Sequence, residues 1–203
     1  MKNSLFVIFL VFILSSCASK VVEDRAENSA VVFQRELVEF YADQKTTPLN
    51  AEEKNIFKGI TFFPINEAYR FNADFTSIAD GNVIPFPTSA GKIKHYKEYG
   101  LVHFELEGKT HTLTLYQSSP IMKEYADHLF LPFTDDTNGD TTYGGGRYID
   151  LKIGDIGDHG KVIVDFNQAY NPYCAYSKRY NCPIPPGKNS LDVEIKAGVT
   201  YQK

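Results

Sequence analysis

Tryptophan is absent from the 203 residues, methionine occurs twice and cysteine three times. Neither sign of charge dominates: the formal charge is −4 and 23% of residues are charged. That balance excludes a nucleic-acid binder recruited by charge and a strongly acidic chain. Several catalytic signatures are also missing. There is no HExxH helix to hold zinc, no GxSxG nucleophile turn and no GxGxxG dinucleotide loop. The glycine run in "YGGGR", Tyr143 to Arg147, lacks the GK[ST] ending and the strand-to-helix context of a phosphate cradle. Strands do not alternate with long helices, which disfavours a doubly wound fold, and no internal repeat occurs. What is present is 43% hydrophobic residues, with 13 tyrosines and 15 phenylalanines. This is the composition of one globular domain with an aromatic, strand-rich core.

The N-terminus carries an address. Lys2 is followed by the apolar run "LFVIFLVFIL", Leu5 to Leu14. Its ten residues are about half the roughly 20 that a spanning helix needs, so the segment reads as a secretory signal. It closes on "LSSC", which resembles a bacterial lipobox, in which the cysteine thiol takes a diacylglycerol and becomes the first residue of the mature chain. The expected organisation is a lipoprotein signal at 1–16, a tether at 17–24 lipidated at Cys17, and a single mainly-β domain at 25–203. The expected partner is a membrane, reached through the lipid without a spanning helix. Ala18, where many inner-membrane lipoproteins carry Asp, directs the expectation to the outer membrane, facing the periplasm.

With Cys17 assigned to lipid, Cys174 and Cys182 remain as an even pair around seven residues. In an oxidising compartment they are expected to form a disulfide, with two free thiols as the alternative. No second cysteine pair and no histidine stands at zinc spacing, so neither a metal nor another cofactor is expected.

Apolar residues at Ala26, Ala30, Phe33, Leu37, Phe40 and Tyr41 step by three and four and predict a helix over 25–43. Asn50 with Glu53 predicts a second, over 50–58, by a capping box. Beyond Ile60 the pattern is strands and turns. "YRFNADFTSI" alternates, and the prolines of "VIPFPTS" demote it to an edge or a loop. "LVHFELEGKTHTLTLYQ" reads as a hairpin with its turn at Glu107-Gly108 or Gly108-Lys109, aligning Val102, Phe104 and Leu106 with His111, Leu113 and Leu115. Further strands are expected at 129–133, 146–153, 161–167 and 191–196. The predicted fold is mainly β, an antiparallel sandwich or half-open barrel with one or two N-terminal helices.

"RYIDLKI" and "KVIVDFN" are joined by the seven-residue loop "GDIGDHG". Paired as a hairpin, they set Ile149 opposite Asp165 and Arg147 opposite Asn167, so that Arg147 meets Asp165 on the diagonal. The glycine run precedes Arg147, and "AYNPYC" follows Asn167. A polar pocket is therefore expected around Tyr143, Arg147, Asp165, Asn167, Tyr170 and Asn171, with a structural ion pair as the alternative. "DTNGD", Asp136 to Asp140, departs from a calcium loop at Thr141 and Arg147 and reads as a polar turn. The five histidines are dispersed and have no visible nucleophile partner.

"FTDDTNGDTTYGGGRYIDL", "VDFNQAYNPYCAY" and "CPIPPGKNSLDVEIKAG" together resemble the signature segments of an uncharacterised bacterial family, domain of unknown function 1684. The resemblance covers essentially the whole mature domain and implies no established activity. The expected role is that of a lipid-anchored cell-envelope protein binding a small polar or anionic ligand at this pocket. The alternatives are a hydrolase or lyase using Asp165 as acid or base, Arg147 as anion clamp and Tyr143 or Tyr170 as proton donor, and a purely structural envelope domain.

Overall fold

The computed structural model describes residues 28–202. The signal segment, Cys17 and the tether lie outside the described residues.

Helix α1 spans Ser29–Ala42. Its cap is Asn28, whose side chain accepts the Ala30 N–H at 2.8 Å, and it turns Ala30 and Tyr41 inward. Helix α2, Ala51–Ile56, begins at the expected capping box: Asn50 accepts the Glu53 N–H and Glu53 accepts the Asn50 N–H, both at 2.8 Å. It stops sooner than expected, at Phe57, whose backbone is already extended.

Seven antiparallel strands follow: β1 Arg70–Ser77, β2 Val83–Pro87, β3 Ile93–Leu106, β4 Lys109–Ser119, β5 His128–Phe133, β6 Arg147–Lys152 and β7 Lys161–Asp165. They form a half-barrel in the order β6-β5-β4-β3-β1-β7, with the proline-bearing β2 joined to β3 outside that path. The β3–β4 hairpin has the expected register. Leu106 faces Lys109, and Val102 faces Leu113. Its two-residue turn is Glu107-Gly108, with φ of 54° and 72°, the doubly positive geometry that matches strand twist. The concave face carries the main core, including Val102, Leu113, Leu129, Leu131, Ile149 and Val164. A second cluster, Phe86, Tyr116, Phe130 and Tyr148, occupies the other face.

Two expected strand relations are corrected. β6 and β7 do not form a hairpin; they end the sheet path, β6 beside β5 and β7 beside β1, where Asp165 stands opposite Arg70. The loop after β6 breaks the strand at once. The Asp155 carboxylate accepts the Lys152 N–H at 2.7 Å, and the Ile153 N–H donates to the Asp127 carbonyl at 2.8 Å. The outer edge of β6 is occupied instead by Tyr170, which exchanges two backbone bonds of 2.9 Å with Tyr148. Alternation alone does not choose a partner strand some ninety residues away, and with the partner the facing set changes: Val162 and Val164 of β7 join Ile149 and Leu151 in the core, while Ile163 and Asp165 border a cleft.

The expected strand at 191–196 is likewise not part of the sheet. The segment is extended and alternates, with Leu191, Val193, Ile195 and Ala197 buried in the core and Asp192, Glu194 and Lys196 exposed. Side chains, rather than a neighbouring strand, satisfy much of its backbone.

Candidate functional site

Arg147 opens β6 and is 0% exposed. Its Nη2 donates to Asp135 Oδ2 and to the Ile195 carbonyl, both at 2.8 Å, and its Nη1 donates to the Ala197 and Val199 carbonyls. The Phe133 ring lies beneath the guanidinium, 5.2 Å from its carbon. Burial presses the guanidinium's pKa downward, and the charge of Asp135 opposes that shift. The other oxygen of Asp135 accepts the Thr137 N–H at 2.9 Å and the Ile195 N–H at 3.2 Å. Gly146 lets the chain pass close by: its φ is +84°, and a Cβ there would stand 2.7 Å from the Phe133 carbonyl oxygen. The expected Arg147–Asp165 pair is thus replaced by Arg147–Asp135, and the arginine is a fastener between β6, the 135–142 turn and the C-terminal segment. That turn is closed by its own side chains, with Asn138 Nδ2 donating to Thr142 Oγ1 at 2.9 Å and to the Tyr143 carbonyl at 3.0 Å.

The other expected site residues separate into two groups. Asn167, 1% exposed, copies a backbone pairing: its Oδ1 accepts the Asn66 N–H at 2.9 Å and its Nδ2 donates to the Asn66 carbonyl at 3.0 Å. Asn171 is also buried and donates to the Tyr176 hydroxyl at 2.8 Å. Tyr143 packs edge-on against Tyr201 at 5.2 Å. Asp165 and Tyr170 are the two that reach an open cleft.

Asp165 lies on the open side of the half-barrel, in a cleft of ≈ 330 Å³ between β6 and β7 that also includes Arg70, Asp150, Asp155 and Ser29. Its carboxylate caps the turn after β7, accepting the Asn167 N–H at 3.0 Å and Nδ2 at 2.8 Å, and it stands 3.9 Å from Arg70 Nε. Tyr170 lies in a second cleft of ≈ 470 Å³ with Lys94, Tyr148, Tyr173, Arg179 and Tyr180. Here three phenol hydroxyls bond back into the protein. Tyr170 donates to Asp150 Oδ2 at 2.8 Å, Tyr180 donates to the Pro48 carbonyl at 2.9 Å, and Tyr148 donates to the Pro183 carbonyl. The surface left to the cleft is therefore mainly aromatic ring. Arg179 stacks near Tyr180 and pairs with Glu53 at 3.2 Å, whereas Lys94 has no ion-pair partner among the described residues.

Asp150 joins the two clefts. While one of its oxygens holds Tyr170, the other meets His128 Nε2 at 2.9 Å. That bond raises the pKa of His128 above its ordinary 6.5, and burial raises that of Tyr170 well above its ordinary value, with the Asp150 charge adding to the effect. Tyr170 therefore stays protonated at neutral pH and acts as a hydrogen-bond donor. With Arg147 enclosed, the anion clamp expected of a hydrolase is not beside Asp165.

The expected disulfide is present. Cys174 and Cys182 are joined at 2.05 Å with Cα atoms 6.1 Å apart, fastening the loop that carries Arg179 and Tyr180 to the wall of the aromatic cleft. Sequence reasoning missed Lys94, His128, Asp150, Arg179 and Tyr180. His128 and Asp150 were within its reach: β5 aligned with β6 sets His128 opposite Lys152, one diagonal from Asp150.

A curled antiparallel sheet with N-terminal helices, an internal Arg–Asp fastener and a disulfide-held aromatic cleft defines a small β-domain whose surface features are separate from its fasteners. The chain belongs to the family described as protein of unknown function (DUF1684), which matches residues 55–200. The solution NMR structure of an uncharacterized protein of Haloarcula marismortui is similar to 84% of this chain and 92% of that one, at 31% identity and a TM-score of 0.65. No curated protein matches.

Proposed function

We propose that this chain is a cell-envelope binding domain, lipid-anchored at Cys17 on the periplasmic face of the outer membrane. Its ligand is a small anionic molecule with a flat or ring-shaped body, held in the tyrosine-lined cleft. The observation that carries the reading is the cleft itself. Rings of Tyr148, Tyr170, Tyr173 and Tyr180 line a space of ≈ 470 Å³, and Lys94 stands over it as a cation that has no ion-pair partner among the described residues. Ligand pockets of this kind run from about 300 to 1,000 Å³ and are mainly apolar, with a few polar groups that orient the ligand. Ring faces suit stacking against a planar group or the C–H face of a sugar, and an ammonium suits a carboxylate or phosphate. The expected motifs supply the walls, Tyr148 from GRY and Tyr170 to Tyr173 from AYNPY, although Arg147 itself supports the wall from inside.

The test is thermal unfolding of the chain lacking residues 1–17, screened against sugar acids, sugar phosphates and aromatic carboxylates. A ligand of this class should raise the melting temperature of the wild type. The shift should shrink with Lys94→Ala and disappear with Tyr173→Ala, both exposed positions outside the core. If no member of the three classes shifts the wild type, or if the shift is the same in both variants, the reading fails.

A further inference from the structure

Four of the five most exposed large apolar side chains among the described residues gather at one end of the sheet: Ile93 at 62%, Ile121 at 54%, Met122 at 52% and Tyr125 at 53%. The β3–β4 ladder brings them together. His95 faces Ser119, and Ile93 and Ile121 each stand two residues beyond that pair, one before His95 and one after Ser119. Met122 and Tyr125 flank the short turn that follows, and exposed Lys92, Lys94 and Lys123 adjoin these residues in the chain, as do two exposed acids, Glu124 and Asp127. An apolar tip with adjoining lysines and a tyrosine has the composition of a surface seated in the interface of a bilayer.

We infer that this tip is a membrane-docking prong whose partner is the headgroup and upper acyl region of a bilayer containing anionic lipid. The inference rests on the lipid-anchoring reading and adds a second attachment to it. Where the tether enters supports the bilayer as partner. Ser29, the first residue of α1, borders the same cleft as Asp150; Asp150 holds His128, and the His128 ring lies 6.3 Å from that of Tyr125. Residues 17–28 extend at most about 40 Å, so the lipid on Cys17 and the prong reach one bilayer together. Paired acyl chains are enough for attachment, but a lipid on a tether sets no orientation. The prong sets it. Lys94 lines the aromatic cleft and directly follows Ile93 in β3, so a docked prong holds the cleft near the membrane surface.

The absence of tryptophan makes the test direct. Met122→Trp introduces a single fluorescent reporter in the prong, and Lys109→Trp introduces one at the opposite end of the same hairpin, roughly 35 Å away at about 3.4 Å per residue. Each full-length chain is mixed with phosphatidylethanolamine–phosphatidylglycerol vesicles containing brominated acyl chains. Emission from the prong reporter should shift to the blue and be quenched at least threefold more than emission from the hairpin-turn reporter. Adding Ile121→Asp to Met122→Trp should reduce the quenching to the level seen at the hairpin turn. Equal quenching at the two positions overturns the prong. Anchoring is read separately, as a diacylglycerol mass increment on Cys17 of the wild type that a Cys17→Ser chain lacks. If the wild type carries no increment, the lipid reading fails, while the ratio of quenching between the two reporters still decides the prong.

Discussion

Replacing Arg147 by methionine should be the most damaging conservative-volume substitution in the sheet. Both members of the Arg147–Asp135 pair have side chains 0% exposed, so methionine leaves a buried carboxylate without its counter-charge. Breaking a buried pair from one side costs about 3–5 kcal/mol. The Ile195, Ala197 and Val199 carbonyls lose their guanidinium donor as well. Against a total stability of about 5–15 kcal/mol for a domain, the variant should be partly unfolded near room temperature or lose about a fifth or more of its stability. Asp135→Leu should behave similarly, since it strands the arginine and removes the acceptor for the Thr137 and Ile195 N–H groups. The double variant should cost less than the sum by about 2 kcal/mol or more, because two residues that share a network are not independent. Arg147→Lys should recover only part of the loss, since an ammonium cannot fork between a carboxylate and three carbonyls. Urea unfolding followed by circular dichroism measures all four proteins. A loss below about 1 kcal/mol for Arg147→Met, or additivity within about 0.5 kcal/mol, would refute the assignment of Arg147 as the internal fastener.

Asn189 offers a second test of fastening by side chains. It is 0% exposed; it accepts the Thr114 N–H at 3.0 Å and donates to the Thr114 carbonyl at 2.9 Å and the Pro132 carbonyl at 2.7 Å, bridging β4 and β5 where the two strands diverge. Asn189→Ala should cost about 3 kcal/mol or more, each buried backbone group left unpaired contributing about 1–3 kcal/mol, again by urea unfolding. His128 should make stability depend on pH. Its folded pKa is raised by Asp150, so its contribution is complete below about 6.5 and is lost as pH rises through the folded value. The gap in urea midpoint between wild type and His128→Gln should therefore be widest near about pH 5.5 and close in mildly alkaline buffer; a gap that widens with rising pH would contradict the sign. Removing the disulfide by Cys174→Ala with Cys182→Ala should cost about 2–3 kcal/mol on the chain-entropy account for so short a loop, measured by thermal unfolding with and without reductant on the wild type as control.

Local order was legible wherever a side-chain rule acts over a few residues. The Asn50–Glu53 capping box and the inward-facing set of the β3–β4 hairpin followed from spacing, the Glu107-Gly108 turn was one of two that the spacing allowed, and the disulfide followed from the even pair left once Cys17 was assigned to lipid. In β7 the inward set is Val162 and Val164, not the Ile163 and Asp165 that pairing with β6 implied. Partner choice was not legible. The alternation of "RYIDLKI" and "KVIVDFN" is the same whether those strands pair with each other or, as they do, with β5 and β1. Nor could it show that the alternating segment "LDVEIKAGV" would give its carbonyls to an arginine instead of a strand. The candidate site shifted for the same reason. Asn167 and Asn171 looked like pocket-lining amides in the sequence, yet each completes a backbone contact made by a distant segment, at Asn66 and at Thr200. Lys94, by contrast, comes to the tyrosines from a strand some eighty residues earlier, and no short-range pattern announces it.

The carbonyls that surround Arg147 belong to Ile195, Ala197 and Val199, made 48 to 52 residues after it. Until they emerge from the ribosome, the guanidinium lacks most of its acceptors. Enclosing this charge is therefore among the last steps in building the domain, after the final segment has been made.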